Sequence, residues 1–341
     1  MSEIRYDKLH DAHVIIAPER LRRPDCDMNV KAVAEEGVCP FCEGNESMTP
    51  PEIFARRKSG SFPNETGWQT RVVPNLYKAV QIEAPYQHRY GLLEHWEGFG
   101  AHEVIIDTPE HHTSMTQWSV EAVVAWLETL RARVADLRCD DRIAHISLFK
   151  NEGLLAGSTQ SHSHTQLIGL PIIPKADRER HLRSYEHYKS TGIAMMESML
   201  LHEEEDDQRI ITTQGAFTAF CPYASAYPFE VMISSKKVLG QIDTLSRESI
   251  DELAPLLLSI LKKMKQQLGC SVFNLSIVIP PLQQEMLEHD MIAHVDEICR
   301  FAIRIMPRLY RHGGLEASTG VFINPVAPEL AAKLLRESSD D

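Results

Sequence analysis

The chain has 341 residues, of which 43% are hydrophobic and 24% are charged. This length predicts about two domain-sized units or one large fused body, and the composition excludes a mainly disordered chain. The formal net charge of −13 argues against a nucleic-acid-binding protein, because such proteins usually carry a basic stripe.

No apolar stretch approaches the ~18 residues that a membrane helix needs, and the polar residues 1–10 indicate no secretory signal. The seven cysteines are odd in number and scattered along the chain, so they do not form a disulfide framework. This distribution is typical of a reducing cytoplasm, where a close pair of cysteines more often binds a metal. We therefore expect a cytoplasmic protein with no membrane partner.

Strands and one long helix are predicted in the first half of the chain. The helix begins after Ser119, a favourable N-cap, and its apolar residues keep helical spacing to about Leu137. A loop of small residues at 153–161 separates the last two strands. The predicted strands lie at residues 70–73, 103–106, 143–149 and 162–170.

A similar order recurs in the second half. A helix is predicted from Ser246 to Leu268, and strands are predicted at residues 229–234, 273–279 and 299–306. The recurrence indicates an internal duplication, although strand–helix–strand order also arises by coincidence. The acidic run 203–207 is interpreted as a solvated loop between the halves.

The most informative segment is the histidine row His162-Ser-His164-Thr-Gln166. Alternate side chains of a strand share a face, so His162, His164 and Gln166 should point the same way. A single histidine is usually a satisfied structural residue, but three polar side chains would be a costly filling for a core face. The row therefore predicts a functional site.

The loop before this row, residues 151–159, is rich in small and hydroxyl side chains. Such loops can surround phosphate oxygens with backbone N–H groups and hydroxyls. A neutral imidazole beside a phosphate site can attack phosphorus and form a covalent nucleotidyl or phosphoryl intermediate. Loop and row together predict phosphate chemistry.

Cys39-Pro-Phe-Cys42 is a C-x2-C pair of the kind that forms half of a zinc site. No second C-x2-C exists, so the other ligands would be histidines: His162, and either His111 or His112. Four protein ligands would make a structural site and would leave His164 as the nucleophile. The alternative is two free buried cysteines.

These motifs together resemble the galactose-1-phosphate uridylyltransferases and their relatives, a family of the histidine-triad superfamily. Further family-like segments span nearly the whole chain, including Arg71-Val-Val-Pro-Asn75, Phe149-Lys-Asn-Glu-Gly153 and Ile323-Asn-Pro325. The resemblance implies an α+β fold of two fused histidine-triad-like halves, each an antiparallel sheet with a long helix. We expect residues 1–200 to form the half with the metal site and catalytic histidine, and residues 201–341 the half without catalytic histidines.

The resemblance also implies roles for individual residues. His164 would take a nucleoside monophosphate as the nucleophile, and Gln166 would bond the transferred phosphate. One zinc per chain would be held by Cys39, Cys42, His111 and His162. The remaining residues would bind the nucleotide: Asn75 near the nucleoside, Asn151, Gly157, Ser158 and Thr159 along the phosphate path, and Arg20 and Arg23 on the phosphates, across the interface of a homodimer.

Two departures from the family pattern refine this expectation. The second-half strand at 300–307 contains no histidine, so we predict one zinc and one active half. Ser163 stands where uridylyltransferases commonly have proline, and Ser161-His-Ser-His164 is more similar to adenylyl-transferring phosphorylases such as ADP-glucose phosphorylase. This favours adenylyl transfer from ADP-glucose or adenylyl sulfate to phosphate, with ADP released.

Three other functions remain open. In uridylyl transfer, UDP-glucose and galactose 1-phosphate, a phosphate ester, would exchange partners. A histidine-triad nucleotide hydrolase usually has a third histidine where this chain has Gln166, and glutamine cannot act as a general acid. A purely structural zinc protein leaves Gln166 and the small-residue loop unexplained.

Overall fold

The computed structural model of the chain describes residues 2–22, 37–282 and 293–339. Within them, the strands in chain order are β1 (Glu3–Asp7), β2 (Ala12–Ile16), β3 (Phe54–Arg57), β4 (Trp68–Pro74), β5 (His88–Arg89), β6 (His95–Trp96), β7 (Ala101–Ile106), β8 (His145–Glu152), β9 (His164–Leu170), β10 (Ile210–Gln214), β11 (Phe217–Phe220), β12 (Val231–Ser234), β13 (Phe273–Ile277), β14 (Ala302–Pro307) and β15 (Phe322–Asn324). The α-helices are α1 (Val120–Leu137), α2 (Lys175–Thr191), α3 (Met195–Asp206), α4 (Arg247–Leu268), α5 (Val295–Ile298), α6 (Gly314–Thr319) and α7 (Pro328–Glu337).

A ten-stranded antiparallel sheet runs through the molecule in the order β10-β11-β12-β14-β13-β8-β9-β7-β4-β3. Each half supplies five strands to this sheet in the same arrangement: three strands, then a long helix, then two strands added in reversed order. In the first half, the separate β5–β6 hairpin is inserted between β4 and β7. β8 and β13 pair at the centre and join the halves. The expected α+β fold of two histidine-triad-like halves is confirmed. The division at residue 200 stays a prediction, and it would fall inside α3.

The long helices α1 and α4 lie side by side on one face of the sheet. Each begins at a serine whose side chain accepts a backbone N–H, Ser119 from Ala122 at 3.2 Å and Ser246 from Ser249 at 3.1 Å. Such caps satisfy amides that the first turn leaves without partners. Apolar side chains of both helices enter one core cluster with inward-facing strand residues, so burial against a shared sheet stabilises both halves.

In the second half, the opposite face of the sheet is covered by α3, which packs Met195 and Leu200 against β11 and β12. The predicted solvated loop at 203–207 is therefore wrong, because α3 extends to Asp206. Glu203 is buried and forms an ion pair with Arg209 at 2.7 Å, so part of the acidic run faces inward.

A separate small sheet has the order β1-β2-β15, in which β15 pairs with β2 in parallel. It attaches the first strands of the chain to a strand near its end, an arrangement that the sequence analysis did not predict. A 3-10 helix, Pro18–Arg22, follows β2. Among the described residues, no helix combines the length and apolar character needed to span a membrane.

Candidate active site and metal site

The histidine row lies at the start of β9, on the face of the sheet away from α1. His164 pairs with Ile106, the last residue of β7, and His162 lies just before the strand. Thr165 points the other way, where its hydroxyl accepts a hydrogen bond from Trp126 Nε1 of α1 at 2.9 Å. The strand therefore directs His164 and Gln166 to one face and Thr165 to the helix face.

The hydrogen bonds of His164 determine which of its ring nitrogens can act as a nucleophile. Its Nδ1 lies 3.0 Å from the backbone carbonyl oxygen of His162. A carbonyl only accepts hydrogen bonds, so Nδ1 must carry the proton and Nε2 keeps its lone pair. Phe41 contacts this imidazole edge to face, with ring centroids 5.7 Å apart. The ring is thus held with an unprotonated nitrogen available for attack.

Burial favours the neutral form of both histidines. Desolvation, followed by the nearby Lys150 ammonium, lowers the pKa of His164. Desolvation also lowers the pKa of His162 to about 4. Because the charged imidazolium is the form that burial penalises, both rings are neutral at neutral pH, as a nucleophile or metal ligand must be.

Cys39, Cys42, His111 and His162 form a compact cluster next to His164, with all four ligand atoms within 4.8 Å of one another. His111 Nδ1 lies 3.3 Å from Cys42 Sγ, and His162 Nδ1 lies 3.6 Å from the sulfur of each cysteine. Tetrahedral coordination with ordinary metal–sulfur and metal–nitrogen bonds separates such atoms by about 3.5 Å. The donor set therefore fits a metal ion.

The second nitrogen of each histidine in this cluster has a partner of its own. His162 Nε2 donates to the Thr108 carbonyl at 2.9 Å, and His111 Nε2 lies 3.0 Å from Ser161 Oγ. The carbonyl partner fixes the tautomer of His162 and leaves its Nδ1 as the ligand atom. The Ser161 hydroxyl can accept from Nε2 of His111 in the same way. His112 is outside the cluster, and its backbone carbonyl accepts from Ser163 N at 2.8 Å. The structure thus brings His111, rather than His112, to the cysteines.

A buried ion pair that no sequence pattern indicated lies behind the histidine row. Lys150 donates to Asp107 Oδ2 at 2.8 Å, to Ser163 Oγ at 2.7 Å and to the His164 carbonyl at 3.2 Å. Lys150 and Asp107 are almost fully buried, so their bonds are strong in the low local dielectric. They fix the backbone that presents both histidines. The hydroxyl of Ser163 accepts one of the hydrogen bonds of Lys150. A proline, which uridylyltransferases commonly have at this position, could not accept such a bond through its side chain.

The predicted phosphate loop connects β8 to β9. Gly153 and Gly157 adopt φ values of 83° and 90°, which glycine reaches without strain. Asn151 Oδ1 accepts a hydrogen bond from Asn274 Nδ2 at 2.8 Å, and the same amide donates to the Ala156 carbonyl at 2.8 Å. Asn274 belongs to β13 of the second half. No sequence pattern marked it, because its role arises only from the β8–β13 pairing.

The other predicted nucleotide-binding residues lie in this loop or in the segment after β2. Thr159 is exposed, while the Ser158 hydroxyl donates to the Gln160 carbonyl at 2.7 Å. Arg20 is exposed in the 3-10 helix Pro18–Arg22, so the small sheet positions it rather than the ten-stranded sheet. Arg23 lies outside the described residues.

Gln166 and Asn75 meet at a histidine that the sequence analysis did not select. His102 Nε2 lies 3.2 Å from Gln166 Oε1 and 3.0 Å from Asn75 Nδ2. All three side chains are half-buried. His102 lies on β7 at the position opposite Ile168, which places it diagonally from Gln166 on the same face. The alternation of the predicted strand 103–106 could have identified it if the strand had been extended by one residue.

Comparisons with known proteins agree with this geometry. Residues 1–174 match the family described as galactose-1-phosphate uridyl transferase, N-terminal domain. The chain is 31% identical to ADP-glucose phosphorylase of Arabidopsis thaliana over 344 aligned positions, covering 99% of this chain and 93% of that protein. It is 25% identical to galactose-1-phosphate uridylyltransferase of Thermotoga maritima, covering 99% of each chain.

The crystal structure of ADP-glucose phosphorylase from Arabidopsis thaliana with bound ADP-glucose superposes with a TM-score of 0.82 at 28% identity, covering 99% of both chains. The similarity thus includes the second half, which the matched family region does not reach. Matched region, relatives and fold lead to one conclusion: the chain belongs to the galactose-1-phosphate uridyl transferase family of nucleotidyltransferases.

Proposed function

We propose that the protein transfers an adenylyl group by double displacement through a covalent adenylyl-His164 intermediate. The donor is ADP-glucose, with adenylyl sulfate as a second candidate, and the acceptor is inorganic phosphate. The single observation that carries the covalent step is the hydrogen bond from His164 Nδ1 to the His162 carbonyl at 3.0 Å, because it leaves Nε2 unprotonated. The choice of an adenylyl donor is supported by the similarity to ADP-glucose phosphorylase of Arabidopsis thaliana.

In the first step, His164 Nε2 attacks the α-phosphorus of the donor. The N–P bond forms while the bond to the bridging oxygen breaks, and glucose 1-phosphate leaves with that oxygen. In the second step, an oxygen of inorganic phosphate attacks the same phosphorus, the N–P bond breaks, and ADP is released with His164 restored. Splitting the transfer in this way is how a nucleophilic side chain lowers a barrier.

Gln166 supports this reaction because its amide can donate a hydrogen bond to the phosphoryl oxygen that gains charge. The side-chain amide of Asn151 and the exposed hydroxyl of Thr159 can provide further donors along the phosphate path. The Gly157 N–H and the Ser158 N–H and hydroxyl, in contrast, already donate to carbonyls of the loop and shape it. A glutamine at this position also disfavours hydrolysis, since it can neither accept a proton from an attacking water nor give one to a poor leaving group. Phosphate therefore intercepts the intermediate.

We infer that the metal is zinc, one per chain, held by Cys39, Cys42, His111 and His162. Two thiolates and two imidazoles are a typical zinc set, and four protein ligands make a closed, structural site. Bound zinc would supply rigidity to the segment 39–42 and to the start of β9. The protein residues then hold His164 in line with its target.

A homodimer in the cytoplasm completes the proposal. The β5–β6 hairpin exposes Tyr90, Leu92 and Leu93, which are 80%, 101% and 89% accessible. Contiguous exposed apolar side chains of this kind usually mark an interaction surface. The scattered free thiols suit a reducing compartment.

The test is a screen of three nucleotide donors, each labelled at the same phosphorus atom. The protein is incubated separately with ADP-glucose, adenylyl sulfate and UDP-glucose, each carrying ³²P at the α-phosphorus, and is then denatured at alkaline pH, where a phosphoramidate survives. We expect label from ADP-glucose on a peptide containing His164, and release of labelled ADP on addition of phosphate.

The outcome distinguishes the alternatives. Label from UDP-glucose, released by galactose 1-phosphate, would replace adenylyl with uridylyl transfer while keeping the covalent step. Release of AMP without any acceptor would favour the hydrolase. If no donor labels the protein, covalent catalysis by His164 is wrong.

A further inference from the structure

We infer that His102 is a positioning residue for the reaction: its imidazole fixes the orientation of the Gln166 amide, so that the amide NH2 faces the transferred phosphoryl group. This inference rests on the proposed function, because Gln166 matters only if a phosphoryl group is transferred beside it.

The backbone determines the tautomer of His102. Its Nδ1 lies 3.0 Å from the backbone N–H of Ala79. A backbone amide always donates, so Nδ1 must be the unprotonated nitrogen. In a neutral imidazole, the proton is then on Nε2. His102 Nε2–H therefore is a fixed donor that points into the face shared with the histidine row.

This donor can be satisfied by Gln166 but not by Asn75. Gln166 Oε1 lies 3.2 Å from His102 Nε2 and accepts the hydrogen bond. Asn75 Nδ2 is 3.0 Å from the same nitrogen, while Asn75 Oδ1 already accepts from Tyr77 N at 2.9 Å. Two donors cannot bond each other, so the amide hydrogens of Asn75 are left for another acceptor.

The consequence concerns the Gln166 amide, whose oxygen and nitrogen have nearly the same shape but opposite hydrogen-bonding roles. With Oε1 committed to His102, the NH2 group must point away from that ring. A flipped amide would place NH2 against Nε2–H and would present an oxygen to the phosphoryl group, where a second negative charge builds up. His102 thus selects the orientation that can stabilise the transition state.

The test is a double-mutant cycle between His102 and Gln166. His102→Leu and His102→Gln are each made in the natural chain and in a Gln166→Ala background. The rate of adenylylation of His164 is measured in a single turnover as a function of ADP-glucose concentration. Melting temperature and bound metal are recorded for every variant.

We expect His102→Leu to slow labelling roughly tenfold, a part of the ~10²–10³ expected from removing a charge-stabilising donor, with the half-saturating donor concentration changed less than about twofold. His102→Gln should recover most of the rate, because its side-chain NH2 can donate to Gln166 Oε1. In the Gln166→Ala background, His102→Leu should have no further effect.

Equal losses in both backgrounds, or a change confined to donor affinity, would overturn the inference, since His102 would then act independently of Gln166. If His102 had a merely structural role, His102→Leu would lower the melting temperature and His102→Gln would not restore the labelling rate. A rate of His102→Leu equal to that of the natural chain would also overturn it.

A second measurement does not depend on activity. Nitrogen NMR of protein labelled with ¹⁵N-histidine should show His102 protonated at Nε2 and bare at Nδ1, and the Gln166 side-chain NH2 resonances should shift in His102→Leu. A proton on Nδ1 would overturn the inference. If no donor labels the natural chain, the proposed function fails, and these spectra still decide whether His102 orients Gln166.

Discussion

The two halves of the molecule have the same strand order and a long helix each, yet only one carries the chemistry. The pairing of neighbouring strands shows which residues occupy equivalent positions in the two halves. His164 pairs with Ile106, the last residue of β7, and Ala302 pairs with Ser234, the last residue of β12. The row His162, His164, Gln166 therefore corresponds to Arg300, Ala302 and Arg304.

The second half uses this row to hold the fold together. Arg304 forms an ion pair with Glu230, and Arg300 donates to Glu197 of α3. α2 and α3 cover the face on which a ligand would have to bind, since residues of α2 line a cavity with Arg300 and Ala302. One strand arrangement thus supports a reactive site in one half and a packed interface in the other, and the halves differ both in the side chains of this row and in the helices that cover it.

The largest expected effect is on the nucleophile. His164→Gly should lower the rate of transfer between intact substrates by roughly 10⁴ or more, because no other group forms the N–P bond. The matched control is Ala302→Gly at the equivalent position of the second half, which should change the rate less than about twofold. Both are measured as release of ADP from ADP-glucose and phosphate.

Imidazole added to His164→Gly, or a preformed adenylyl-imidazolide, is expected to restore one half-reaction through the vacated space. If His164→Gly retains near-normal rates, the nucleophile is elsewhere. If Ala302→Gly is equally damaging, the halves are not divided into a reactive and a structural one.

The metal cluster gives the next largest effect. Cys39→Ser should remove one equivalent of zinc and lower the free energy of unfolding by about 4 kcal/mol, the size typical of losing a structural metal. His111→Ala should do the same, whereas His112→Ala should keep the metal, because its side chain is outside the cluster. Elemental analysis and thermal melting measure both. Zero or two metal equivalents in the natural chain would contradict the one-zinc assignment.

In the second half, Arg304→Met should reduce stability without reducing chemistry. Glu230 is 2% exposed, so removing its partner leaves a buried charge uncompensated, at a cost of about 3 kcal/mol. Arg308→Met is the control, because Arg304 and Arg308 both lie over the Tyr227 ring, 5.9 Å and 5.3 Å from its centroid. The loss of this half-buried contact alone should cost only about 1 kcal/mol. A fall in the His164 labelling rate with Arg304→Met would show that the second half takes part in the reaction.

A structural feature could be predicted from the sequence where the residues that determine it are close together in the chain. Helices α1 and α4 and the central strands follow from local periodicity, and Cys39, Cys42 and His162 follow from ligand chemistry. The choice of His111 over His112 needed the resemblance, because adjacent histidines have the same chemistry. Lys150, His102 and Asn274 were missed because their roles come from pairings between strands distant in sequence.

The smallest predicted effect tests whether the small sheet contributes to the site. Arg20 is placed by β2, which pairs with β15 rather than with the reactive strands. A chain of net charge −13 needs local positive charge to hold an anionic donor. Arg20→Ala should raise the half-saturating donor concentration about tenfold, equivalent to ~1.4 kcal/mol, without changing the melting temperature. Arg20→Lys should recover only part of the loss, because it lacks the planar fork.

Mixed dimers then show which copy provides the arginine. Arg20→Ala subunits are combined with His164→Gly subunits, and the donor dependence of the remaining activity is measured. If Arg20 reaches the site of the neighbouring copy, one site of the mixed dimer has both defects and the other has neither, so the surviving activity keeps the natural donor dependence. If Arg20 serves its own site, every active site lacks it and the half-saturating concentration stays high. An unchanged donor dependence in the Arg20→Ala protein itself would mean that the basic segment is only a solvated loop.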